Sequence, residues 1–144
     1  MTIAILDTMH GATIALSVSS LTLRVTSISP AKKTLPSVES SYHGTTTLAT
    51  RIAGDLQDPQ PITITYQNSP GLASPAHGTT QTLTITGPLP SGASTAEIMS
   101  ITGFVTEVDD SPQYDTSTGG SAGLQMKTMV FQPDGTTFTH TPAA

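Results

Sequence analysis

The chain of 144 residues has no cysteine and no tryptophan. Without cysteine there is neither a disulfide framework nor a thiolate metal site. With only three Tyr and three Phe, it is also poor in the aromatic platforms that a β-sandwich carbohydrate-binding or adhesin module, an alternative for a β-rich chain, normally needs. Charge is scarce too, at 10% of residues. The five basic residues are scattered apart from Lys32-Lys33, and the formal charge is −5. A duplex binder needs clustered cations to neutralise phosphates, so tight nucleic-acid binding is not expected. No run approaches the ~20 apolar residues that span a bilayer as a helix, and no membrane partner is expected. The first residues, MTIAILDTMHGATIAL, have no basic region, and Asp7 interrupts their apolar run, so they do not read as a signal peptide. The reading is a protein made in the cytoplasm.

What the chain has is threonine and serine set between short apolar residues. Leu21 to Ile28 alternates, with Leu21, Leu23 and Val25 on one face and Thr22, Arg24 and Thr26 on the other. That is the period of a half-buried strand. Ile62, Ile64 and Tyr66 against Thr63 and Thr65 make a second such strand, and Leu83 and Ile85 among threonines a third. Ile14 to Val18 is a shorter apolar run, and Leu124 to Phe131 reads as a further strand. Ala93 to Met99 is the one candidate helical turn, although Glu97 to Val108 reads better as a long strand, with Gly103 marking a bulge. Pro133-Asp134-Gly135-Thr136 signals a hairpin, after which Thr137 to Thr139 returns as a short strand. The expected fold is therefore all-β, or β with one short helix: a sandwich or barrel of six to eight strands. The length fits one domain over residues 1–144.

Two stretches stand apart. Residues 109–123 form a polar loop of turn formers, expected to be flexible. Asp109, Asp110 and Asp115 within it are calcium-type ligands, but they lack the ordered spacing and bidentate Glu of a calcium loop. Residues 29–60 hold no long element, because Ser29-Pro30 and Leu35-Pro36 break the pattern. A loop this long inside a small domain is usually functional. It carries no catalytic set, so contact with another subunit is its expected role.

The four histidines, His10, His43, His77 and His140, are far apart and show no zinc spacing. No G-x-S-x-G elbow occurs, and Gly119 to Gly123 lacks the lysine of a phosphate loop. Neither an enzyme nor a cofactor is expected.

The order of segments resembles the tail tube (major tail) proteins of long non-contractile-tailed bacteriophages. The likeness runs over residues 14–131. It rests on four passages: Val25-Thr26-Ser27-Ile28-Ser29-Pro30; Val38 to Thr45; Arg51-Ile52-Ala53-Gly54-Asp55-Leu56-Gln57-Asp58; and Ile101 to Val108 with its Gly-Phe-Val-Thr core. The chain departs from that pattern at Ala53, at Gln60-Pro61, and after Gln67, where no helix follows. The resemblance implies a structural virion protein. Rings of six would share an inner β-barrel and stack into a hollow tube, with DNA passing through the lumen unbound. Tape measure, tail tip and terminator proteins would be its neighbours. Under that resemblance Lys32, Lys33, Tyr42, His43, Thr45, Arg51 and Asp55 lie in the inter-subunit loop. Thr22, Thr26, Thr63 and Thr65 approach the lumen. A capsid decoration or head–tail connector protein shares the same β-rich, Thr-rich, acidic profile.

Overall fold

Alternation in the sequence becomes inside and outside in the structure. The computed structural model describes residues 12–17, 21–44, 46–68, 75–111 and 125–144, with the backbone alone at 21–24. Ten strands lie among them: β1 (Thr13–Leu16), β2 (Leu21–Ile28), β3 (Lys33–Thr34), β4 (Ser37–Glu39), β5 (Arg51–Ala53), β6 (Asp58–Pro59), β7 (Ile62–Gln67), β8 (Gln81–Thr86), β9 (Ile98–Val108) and β10 (Met126–Thr141). Six of them close into an antiparallel barrel in the order β1-β2-β7-β10-β9-β8. The short β1 completes the ring by pairing with β2 on one edge and β8 on the other. Closure gives every strand of the barrel a partner on both sides over at least part of its length.

The inward residues are Ile14, Leu16, Ile62, Ile64, Tyr66, Leu83, Ile101, Val105, Met129 and Phe131, all at most 1% exposed. Each contributes roughly 1.5–3 kcal/mol by leaving water. Threonines take the alternate positions and face outward. An apolar lumen inside a Thr-rich wall is the reverse of a membrane barrel, whose outer band is apolar. No helix among the described residues is long and apolar enough to cross a membrane.

Three irregularities bend the strands around this core. Thr26 is an extra residue on β2 between the pairs Val25↔Tyr66 and Ser27↔Thr65. Thr106 is an extra residue on β9 between Glu107↔Val130 and Val105↔Phe131. On β10, residues 134–137 lie opposite Thr102 alone, between the pairs Pro133↔Gly103 and Phe138↔Ile101. Such insertions raise local twist and turn the corners of a small barrel.

The third of these corrects the expected hairpin. Pro133 to Thr136 does turn: Gly135 has φ 85°, and the Thr136 N–H donates to Asp134 Oδ1 at 2.8 Å. Yet the chain on both sides of the turn pairs with the same strand, β9, so β10 continues through it to Thr141. The local signal was right about the turn and silent about the partner. Residues 93–99, the candidate helical turn, form a bend that enters β9, and the described residues contain no helix. Most of the loop at 109–123 lies outside the described residues.

Among the described residues, the polar side chains buried with the core are Gln81 and Lys127. Gln81 Nε2 donates to the Ala76 carbonyl at 3.3 Å. The chain end is held as well: Ser94 and Thr95 N–H groups donate to Ala144 O at 2.7 and 2.9 Å. Tyr66 is pushed above the usual tyrosine range, first by burial and then by the negative charge of Asp109. Its folded-state pKa thus exceeds the unfolded value near 10, so the stability it contributes is present below that pH and lost as pH rises through the folded value. Tyr66→Phe should therefore flatten the alkaline loss of stability. Urea midpoints at pH 8 and pH 11 would check this, and equal losses in the two proteins would refute it.

Candidate interaction site

Residues 29–61, between β2 and β7, carry Pro30, Pro36, Pro59 and Pro61. Proline removes ladder donors, so no long strand forms there. Two short ribbons form in series instead. β3 pairs with β6 through Lys33↔Pro59 and Thr34↔Asp58. β4 then pairs with β5 through Ser37↔Ala53, Val38↔Ile52 and Glu39↔Arg51. The result is an arm that belongs to no part of the barrel sheet.

The arm's base is fixed to the barrel. Gln132 on β10 donates through Nε2 to the Pro59 carbonyl at 3.3 Å. The Lys33 ammonium sits 5.0 Å from the centre of the Phe138 ring, a cation–π contact. Gln60 ties the base internally, with Nε2 on Thr34 Oγ1 at 3.0 Å and on Asp58 Oδ2 at 3.2 Å. The joint between the ribbons is also defined. Gly54 N donates to the Pro36 carbonyl at 2.6 Å, and a Cβ on Gly54 would stand 2.7 Å from Pro36 Cγ. Only glycine permits that approach. At the far end, Ser40 N donates to the Thr50 carbonyl at 2.7 Å and Thr50 N to Ser41 Oγ at 2.8 Å. Beyond these lies an open concavity of about 300 Å³ lined by residues that include Tyr42, Thr46 and Leu48.

Among its polar residues the arm shows large apolar side chains to solvent. Six of the eight large hydrophobic residues exposed in the described structure lie on it: Leu35, Val38, Tyr42, Leu48, Ile52 and Leu56. Val38 and Ile52 are direct cross-strand partners, so they share one face of the outer ribbon, and they are 51% and 57% exposed. A two-stranded ribbon with a bare apolar face is marginal in water alone. Clustered apolar exposure of this kind marks a contact surface.

The residues expected in an inter-subunit loop fall along this arm. Lys32 and Lys33 are at its base, Arg51 is on β5, Asp55 follows β5, and Tyr42 and His43 are at the outer end. Thr45 lies outside the described residues. The apolar set was not singled out in the sequence, although five aliphatic residues in an otherwise polar stretch were a visible signal.

Of the threonines expected at a lumen, Thr26 and Thr63 are exposed and Thr65 is half-buried, all on the outside of the barrel. Thr26 Oγ1 donates to the Thr65 carbonyl at 3.2 Å, and Thr65 Oγ1 lies 3.4 Å from Thr128 Oγ1. Thr22 is on β2, with its side chain outside the described atoms.

No group of three or more His, Asp or Glu capable of holding a metal occurs among the described residues. His43 is on the arm, His77 bridges to Val105, and His140 Nε2 contacts Glu97 Oε1 at 2.5 Å. His10 and Asp115 lie outside the described residues. Asp109 Oδ2 is engaged by the Thr128 N–H at 2.9 Å.

No protein-family model matches the chain, and no curated protein matches it. Solved structures do. The chain is similar to the sheath/tube terminator of PVC, an extracellular contractile injection system, in its extended state: TM-score 0.68, 12% identity, 97% of this chain and 99% of that one. It is also similar to the anti-feeding prophage cap, the AFP tube terminating cap: TM-score 0.63, 16% identity, 99% of this chain and 97% of that one. Neither is the major tube protein of a long non-contractile tail. At these identities the likeness establishes a shared all-β fold over the whole length of the chain.

Proposed function

We propose that this chain is a structural subunit of a phage-like tail tube, acting at the tube's end as a terminator or cap and not as the repeating tube protein. Identical subunits, six by the expectation from sequence, form a ring through their arms. The reading is carried by the exposed apolar arm on a closed barrel whose fold is shared along its full length with two tube-ending proteins. Thr26, Thr63 and Thr65 supply an uncharged wall on the barrel's outside, suited to line a channel. The formal charge of −5 suits a channel that passes DNA without holding it, because an acidic body repels phosphates. The protein would be made in the host cytoplasm and reside in the virion or tail-like particle, beside other tail proteins.

The test is electron microscopy with sedimentation velocity over a concentration series. Single rings with a central hole that do not lengthen are the expected result. Tubes that grow with concentration would return the protein to the major-tube reading, and monomers at every concentration would overturn both.

A further inference from the structure

Among the described residues, the two exposed large hydrophobics that are not on the arm are Leu89, in the β8–β9 connection, and Ile98, just after it. Thr86 pairs with Ile98 and Gly87 N donates to the Glu97 carbonyl, so the connection folds back beside Ile98. Ile98 points outward, because Ile101 on the same strand is fully buried and Met99 packs against the core. From residue 87 to residue 106 the only charged side chain is Glu97, and it is already engaged by His140.

The arm is electrically matched to such a surface. Residues 29–61 hold Lys32, Lys33 and Arg51 against Glu39, Asp55 and Asp58, so the whole formal charge of −5 resides outside the arm. Two copies meeting body to body repel each other. A neutral apolar arm resting on a nearly uncharged apolar patch does not incur that repulsion.

Topology fixes where the two surfaces stand. The arm joins the end of β2 to the start of β7, and the connection joins the end of β8 to the start of β9. In the antiparallel order β1-β2-β7-β10-β9-β8, both emerge at the same end of the barrel. They leave from opposite walls, with β1 and β10 between them.

We infer that the apolar face of one copy's arm, centred on Val38 and Ile52, seats on the Leu89–Ile98 patch of a lateral second copy. The contact is heterologous, one kind of surface meeting another, so it propagates around a ring and closes when the rotation permits. Surfaces at one barrel end on opposite walls place neighbours side by side in a ring rather than stacked. The inference rests on the proposed self-assembly and names the contact that produces it.

The absence of cysteine makes a clean test possible. The Val38→Cys/Leu89→Cys double variant is oxidised at a concentration where the untreated protein sediments as an assembly. Val38→Cys and Leu89→Cys are treated separately alongside it. The expected result is a ladder of covalent multimers from the double variant, at least 10-fold above either single variant. Mixing the two single variants should stop at dimers. An assembled sample without a ladder, or dimers from Val38→Cys alone, would overturn the contact while leaving the ring intact. Unmodified protein that never assembles would remove the proposed function, and this inference with it. Ile52→Cys/Ile98→Cys provides a second pair should the first disturb the arm.

Discussion

Replacing Val38 and Ile52 together by aspartate is expected to abolish self-association and leave the barrel's melting temperature unchanged. Both side chains are more than half exposed on an arm outside the barrel sheet. Their loss removes no core contact, and surface changes of this kind ordinarily stay within about 0.5 kcal/mol. The ribbon itself loses one apolar cross-strand pair, worth roughly 0.2–1 kcal/mol. In an interface the account differs. A carboxylate forced against an apolar partner without a counter-charge costs several kcal/mol, and two of them face each other here. Self-association should weaken by more than about 100-fold, equivalent to 2.7 kcal/mol at 1.36 kcal/mol per decade. Val38→Thr with Ile52→Thr keeps branching at Cβ and removes only hydrophobicity, so it should fall between the two. Sedimentation velocity beside thermal unfolding reads both quantities. An aspartate variant that still assembles would show that another surface holds the copies together.

The apolar arm illustrates what a sequence discloses and what it withholds. Its length and its lack of chemistry were legible, and from these a contact role followed. The pair that gives it an exposed apolar face was not, because Val38 and Ile52 are distant in the chain and become neighbours only when β4 finds β5. The same distinction runs through the barrel. The bounds of β2 were readable, since Leu21, Leu23 and Val25 alternate with Thr22, Arg24 and Thr26, but the bulge at Thr26 that turns Ile28 onto the core was not; the inward set of β7 follows from Ile62, Ile64 and Tyr66 alone. β10 was not readable as one strand, because Pro-Asp-Gly-Thr turns the chain locally and only the pairing with β9 reveals that it resumes the same ladder. Barrel versus sandwich was equally hidden. It depends on four residues, Thr13–Leu16, bonding on both edges. The threonines proposed for a lumen occupy the same outward positions on strand after strand, so alternation alone distinguishes no wall from another.

Gly103→Ala is expected to be among the most damaging single changes available to this chain. Gly103 is buried where β9 meets β10, paired with Pro133 and also with Gln81 on β8. A Cβ there would collide with the carbonyl oxygen of Gln132 and stand 2.8 Å from Pro133 Cα. Those are backbone atoms, which move only if the strand pairing moves with them. Glycine in a strand is ordinarily a weakness that alanine repairs by about 0.4–1 kcal/mol; here the collision reverses the sign. A loss of about 3 kcal/mol is expected, at the upper end of overpacking costs, which for a chain of this size lowers the melting temperature by roughly 10 °C. Gly135 separates the two reasons for glycine. Its φ is +85° and nothing lies within 4 Å of its missing Cβ, so Gly135→Ala meets backbone strain alone, about 1–2 kcal/mol. Calorimetry should therefore rank Gly103→Ala well below Gly135→Ala. If Gly103→Ala melts within 2–3 °C of the parent, roughly 1 kcal/mol for a chain of this size, the β9–β10 register described above is wrong. The consequence reaches the arm. The insertion at 134–137 begins beside Gly103 and delivers Phe138 to the Lys33 ammonium at the arm's base. A slip at Gly103 displaces that ring, so the folded fraction of the variant should also assemble less well than Gly135→Ala does at equal stability.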